Sequence, residues 1–118
     1  MPGQPLIERH CAPVAKGTPV LRRETAQALL KEIPGWEMVD GKAIRRLFRC
    51  KDFKDAVSLI NRVCTVAESN DHHPDLHLTG YRNLTIEIST HSIGGLSDND
   101  FVLAAKLDRI LTHTPPIG

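Results

Sequence analysis

Cysteine is scarce: Cys11, Cys50 and Cys64 are the only three, widely spaced and without a C-x-x-C pair. An odd, scattered set excludes a disulfide framework and a cysteine-rich zinc site, and reads as reduced thiols in a cytoplasmic protein. Aromatic residues are only 4% of the chain, too few to line a groove on which single-stranded bases stack. Charge of one sign is lacking as well. Fifteen Lys and Arg stand against fourteen Asp and Glu, a formal net charge of +1, so no field draws the chain to phosphate backbones or anionic lipid. Direct nucleic-acid binding is therefore not expected. No apolar run approaches the roughly 18 residues a membrane span requires. Two prolines and Glu8 occupy the region where a signal peptide would be continuously apolar.

What remains is ordinary for a globular chain, 41% hydrophobic and 25% charged, and 118 residues suffice for one core but not two. Residues 1–20 mix Pro, Gly, Lys and His without apolar period and are expected to be a poorly ordered arm. The folded domain is expected over 21–112, with a tail at 113–118. Ala26, Leu29, Leu30 and Ile33 recur at helical steps until Pro34-Gly35 ends the run. Trp36 to Val39 and Ala43 to Cys50 flank Asp40-Gly41, the pattern of a β-hairpin. Its arginines, Arg45, Arg46 and Arg49, read as a solvated strand surface.

A second helix opens at Asp52, with Asp55 three positions on, and its stripe is Phe53, Ala56, Val57, Ile60, Val63, Cys64 and Ala67. It runs out near Asn70, before Pro74. Leu76 to Thr79 pairs through a turn at 80–83 with a strand from Leu84. On that strand Leu84, Ile86, Ile88 and Thr90 share one face, while Thr85, Glu87, Ser89 and His91 share the other. Gly94-Gly95 then break the chain. Ser97 and Asp100 form a capping-box pattern before a third helix bearing Phe101, Ala104, Ala105, Leu107, Ile110 and Leu111.

The order α-β-β-α-β-β-α predicts an α+β fold: a four-stranded antiparallel sheet with three helices packed on one face. Ser89 and His91 then place a polar site away from the helix-packed side.

His72, His73, His77 and His91 are four of six histidines and crowd together with Glu68, Asp71 and Asp75. Such a density suits acid–base chemistry, because imidazole, with an unperturbed pKa of about 6.5, both gives and takes a proton near neutrality. The competing reading is a metal site, for which His73 and His77 have the right interval but Pro74 breaks the helix that would stack them. Ser89 and Ser92 lack the context of an activated nucleophile. His10 and His113 read as surface residues.

The run Glu68-Ser69-Asn70-Asp71-His72-His73-Pro74, then Tyr81, Ser89-Thr90-His91, Gly95-Leu96-Ser97 and Asp100, resembles the signature of the pterin-4a-carbinolamine dehydratase family. Gly35-Trp36, Lys51-Asp52-Phe53 and the stretch from Asn99 to Lys106 are similar to bacterial members, so the likeness spans about Leu21 to Ile110. The resemblance implies dehydration of 4a-hydroxytetrahydrobiopterin to quinonoid dihydropterin, without metal or organic cofactor, in tetrahydropterin recycling. It implies His72, His73 and His91 as catalytic residues, and Asp71, Ser89, Thr90 and Ser92 beside them as substrate-binding residues. It further implies a homodimer or homotetramer, for which the apolar surface of the third helix and a sheet edge are the expected contacts. The alternative it raises is a non-catalytic role, as a dimerisation cofactor or assembly factor binding a protein partner.

Overall fold

A computed structural model describes residues 4–111; the tail at 113–118, with His113, lies outside the described residues. Three helices, α1 (Arg23–Leu30), α2 (Phe53–Asn70) and α3 (Asp98–Leu111), alternate with two hairpins. The strands are β1 (Glu37–Val39), β2 (Ala43–Arg49), β3 (Asp75–Thr79) and β4 (Asn83–Ile88). All pairings are antiparallel, in the order β1-β2-β4-β3, so the two longest strands are central and the short ones guard the edges. The α+β architecture and its element order are those read from the sequence.

Local chemistry explains the boundaries. Asp40 and Gly41 both take positive φ, 53° and 69°, which is the mirror-image turn whose twist matches a hairpin. Asp52 caps α2, its carboxylate accepting from Asp55 N–H at 2.7 Å. The other end of α2 stops at Asp71 in the left-handed region (φ 49°), which turns the chain sharply toward His72.

Period-two alternation sends Ile44, Leu84, Ile86 and Ile88 into the core against the helices. The opposite face of the sheet carries Arg45, Leu47, Arg49, His77 and Thr79, all exposed. The core continues through α3, of which Phe101, Val102, Leu103, Ala104, Leu107 and Leu111 are buried. A helix apolar on most of its circumference belongs in the centre of a fold.

Four expectations are corrected. The surface of α3 proposed for subunit contact is occupied by the chain's own core. The buried stripe of α2 is Ala56, Leu59, Val63 and Ala67, whereas Phe53, Val57 and Cys64 are exposed; the helix is rotated relative to the expected stripe, with Leu59 inward. Arg46 is only partly solvated. It reaches to the helix side, where it donates to Asp108 Oδ1 at 2.9 Å and lies 4.9 Å from the centre of the Phe48 ring. Trp36 Nε1 donates to the same oxygen at 2.9 Å, and burial nevertheless holds the Asp108 carboxyl above its ordinary range. Finally, β4 stops at Ile88, and His91–Ile93 form a 3-10 turn instead of continuing the strand. Gly94 at φ 67° folds the chain back so that Thr90 bridges Gly95.

Residues 4–20 contain one 3-10 turn, Leu6–Glu8, and are fastened along the body. Leu6 is buried in the core, Lys106 Nζ donates to Ile7 C=O at 2.9 Å, and Leu21 N–H donates to Leu96 C=O at 2.9 Å.

Candidate active site

Where β4 runs out, the C-terminus of α2 and the N-terminus of α3 meet and leave a cleft of about 290 Å³. That is at the small end of the range for ligand pockets, roughly 300–1,000 Å³. Its lining includes Asp71, His72, His73, Ser89, Thr90, His91 and Ser92, all seven candidates taken from the sequence. The cleft lies at an end of the sheet, not on its open face as the alternation of β4 suggested. His77 is not among its lining residues; it stands on β3 opposite Thr85, exposed on the outer face. The fourfold histidine cluster therefore resolves into three plus one.

Neighbouring histidines diverge. The left-handed turn at Asp71 directs His72 inward, with its side chain 11% exposed, and His73 outward, at 57%. His73 Nε2 lies 2.6 Å from Glu68 Oε2 in an exposed pair, an arrangement worth little to stability in water. His72 Nε2 lies 2.6 Å from Asp100 Oδ1, and Asp100 is fully buried.

The second oxygen of Asp100 accepts from Thr90 Oγ1 and from Ser97 N–H, each at 2.9 Å, and Thr90 Oγ1 is 2.7 Å from Ser97 Oγ. The capping pattern seen in the sequence is thus half realised. Asp100 reaches back to the Ser97 amide, while the serine hydroxyl turns to Thr90. A buried carboxylate needs such partners, because desolvation otherwise drives it to neutrality. An ionised Asp100 can only accept, so it favours the His72 tautomer with the proton on Nε2, in which Nδ1 carries the lone pair. His91, on its 3-10 turn, is exposed and lines the same cleft.

Sequence reasoning identified Asp100 only as a cap and motif residue; its bond to His72 crosses 28 positions and left no local signal. Cys11, Ala12, Pro13, Val14, Asn70 and Asn99 complete the lining and were not foreseen. Among the described residues, no three His, Cys, Asp or Glu side chains converge in a metal-ligating group.

The chain is thus an antiparallel α+β domain with three histidines among the residues that line a small cleft. The family model described as pterin 4 alpha carbinolamine dehydratase matches residues 19–110, and the chain belongs to that family. It is accordingly an enzyme of the dehydratase class. It is 43% identical over 105 residues to a Rubrobacter xylanophilus protein provisionally named a pterin-4-alpha-carbinolamine dehydratase, covering 89% of this chain and 97% of the relative. With the Arabidopsis thaliana protein named pterin-4-alpha-carbinolamine dehydratase 2, mitochondrial, identity is 42% over 109 residues, covering 89% of this chain and 58% of that one. The crystal structure of a Brucella melitensis protein described as a transcriptional coactivator/pterin dehydratase superposes with a TM-score of 0.71 at 32% identity, over 78% of this chain and 98% of that one.

Proposed function

We propose that this chain dehydrates a 4a-hydroxytetrahydropterin to the quinonoid dihydropterin and water, by histidine acid–base catalysis within tetrahydropterin recycling. The observation that carries the reading is the cleft in which His72, His73 and His91 meet, with His72 held by buried Asp100. The reaction needs two proton transfers. The C4a–O bond breaks as the hydroxyl takes a proton and leaves as water, while N5 loses its proton and its electron pair forms the C4a=N5 double bond. A base and an acid lining one cleft can do both in one step.

In this reading His72, with Nδ1 unprotonated, and His91 handle N5 and the leaving hydroxyl between them. His73 orients the substrate or shares in the transfer, and Asp71, Ser89, Thr90 and Ser92 bind the polar ring edge. Thr90 serves mainly through Asp100, to which its hydroxyl is committed. No metal or organic cofactor takes part.

Stopped-flow absorbance of freshly generated 4a-hydroxytetrahydropterin tests the proposal: the protein should accelerate its decay severalfold or more at micromolar concentration. An unchanged rate overturns it. The alternative role of binding a protein partner draws support from the Brucella relative, which is described as a coactivator as well as a dehydratase; loss of that role should leave turnover intact.

Oligomerisation is retained as part of the proposal, with the contact moved off α3; exposed Phe53, Val57 and Leu47 offer apolar surface instead. Light scattering that gives a monomer of about 13.1 kDa at all concentrations would refute it. None of the helices among the described residues is long and apolar enough to cross a membrane. The cytoplasmic placement rests on composition, beside Arabidopsis relatives named for mitochondria and chloroplasts.

A further inference from the structure

The cleft has two unlike walls. One is polar, built from Asp71, His72, His73, Ser89 and His91. The lining also includes Ala12, Pro13 and Val14, whose side chains carry no hydrogen-bonding group, and they come from the segment that precedes the family-matched residues 19–110.

That segment is clamped where it passes the cleft. Buried Asn99 binds Ala12 twice: its Oδ1 accepts from Ala12 N–H at 3.0 Å, and its Nδ2 donates to Ala12 C=O at 2.6 Å. Cys11 Sγ lies 3.6 Å from Asn99 C=O, and Ser92 Oγ donates to Val14 C=O at 3.3 Å. Upstream, Lys106 holds Ile7, seven residues along α3 from Asn99, or about two helical turns. Asn99 is adjacent to Asp100 in α3. The first turn of that helix therefore fixes both walls, one through Asp100 and His72 and the other through Asn99 and Ala12.

We propose that residues 11–14 are a substrate-binding wall of the active site, with Asn99 as the positioning residue that acts through Ala12. The inference rests on the dehydratase reading. A pterin has polar edges and two apolar ring faces. The histidine wall serves the edge where protons move, and Pro13 with Val14 cover a face. Covering one face of a bicyclic ring, on the order of 50 Å², corresponds to about tenfold in affinity.

The test uses two full-length variants, Asn99→Leu, which unclamps the arm, and Pro13→Gly/Val14→Gly, which strips the wall on an exposed segment. Each should raise KM for 4a-hydroxytetrahydropterin and Kd for 7,8-dihydrobiopterin about tenfold with kcat within about twofold, the pattern of lost uniform binding. Bound 7,8-dihydrobiopterin should also slow tryptic cleavage after exposed Lys16 in the parent chain and less so in Asn99→Leu. Unchanged KM and Kd in a folded Asn99→Leu chain overturn the proposal. Should that chain not fold, unchanged values in the glycine variant do so. A parent chain that neither turns over nor binds removes the dehydratase reading, and the proposal falls with it; a parent that is active beside unaffected variants removes the proposal alone.

Discussion

Replacing Asp100 with asparagine changes the fully buried carboxylate behind His72 while keeping its size. In the native chain Oδ2 accepts from Thr90 and Ser97, and Oδ1 accepts from His72. An amide has one acceptor oxygen and one NH₂ donor. Turning the NH₂ toward Ser97 N–H would set two donors against each other, so the oxygen stays on that side and the NH₂ faces His72. His72 can meet a donor only with a bare Nε2, which moves its proton to Nδ1. Nδ1, the nitrogen assigned as base in the proposed function, then becomes a donor.

In a Ser-His-Asp triad the corresponding exchange costs about 10⁴ in kcat through the wrong tautomer. His72 has two imidazoles beside it that can partly substitute, so a loss of about 10² to 10³ is expected, within the usual range for one acid–base group. Stability should change far less. Three bonds weaken by about 1 kcal/mol each when the acceptor loses its charge, but a buried carboxylate also sheds a desolvation cost of several kcal/mol. Asp100→Ala has no such compensation; it leaves the buried Ser97 N–H without its carboxylate partner and His72 Nε2 facing a cavity, at about 1–3 kcal/mol each, and should be strongly destabilised. Stopped-flow turnover reads the rate, thermal unfolding the stability, and ¹⁵N shifts of the His72 ring the tautomer. An Asn variant with parental kcat, or with the proton still on Nε2, would refute the reasoning.

The remaining expectations concern the histidines, metal, the arm thiol and a helix cap. His72→Ala and His91→Ala should each lower kcat by about 10²- to 10⁴-fold, and the double variant should lose less than the product of the two because both serve one transition state; full multiplicativity would argue for separate steps. Activity should survive exhaustive chelation, and loss that is restored by added zinc or iron would reinstate the metal reading. Burial pushes the Cys11 thiol up to about 11. At pH 8 such a thiol is about a thousandth thiolate, against roughly a quarter for an unperturbed cysteine. Iodoacetamide should therefore label part-buried Cys11 slowly at pH 8 and after exposed Cys64, with labelling of Cys11 rising as pH approaches 11; mass spectrometry of early adducts checks the order. Asp52→Ala should cost about 1 kcal/mol by removing the α2 cap, and an unchanged Tm would count against the bond to Asp55.

Much of the fold was legible because its signals are local. Asp40-Gly41 in a tight turn, Asp52 before a helix and the alternation of Leu84, Ile86 and Ile88 each act over a few residues, and the structure contains each feature. The errors arose where local signals are ambiguous. The apolar residues of α2 are numerous enough that two overlapping stripes fit the same period, and only the packing of neighbours selects Leu59 over Phe53 and Val57. Alternation in β4 likewise continued on paper to His91, because the turn that ends it depends on the Thr90–Gly95 bridge.

By itself, then, the sequence determined the order of elements, the antiparallel pairing and the identities of the imidazoles, all of which follow from periodicity, turn chemistry and residue type. It also carried the motif through which family membership could be suspected. Tertiary structure alone decided that His72 turns inward to Asp100 while the more exposed His73 pairs with Glu68, that His77 stands apart, and that residues 11–14 join the histidines in lining one cleft. The bonds that make those choices span from 5 to 88 positions. A contact between distant residues has no signature in local pattern, because it forms only after the core has brought the ends of α2, β4 and α3 to one place.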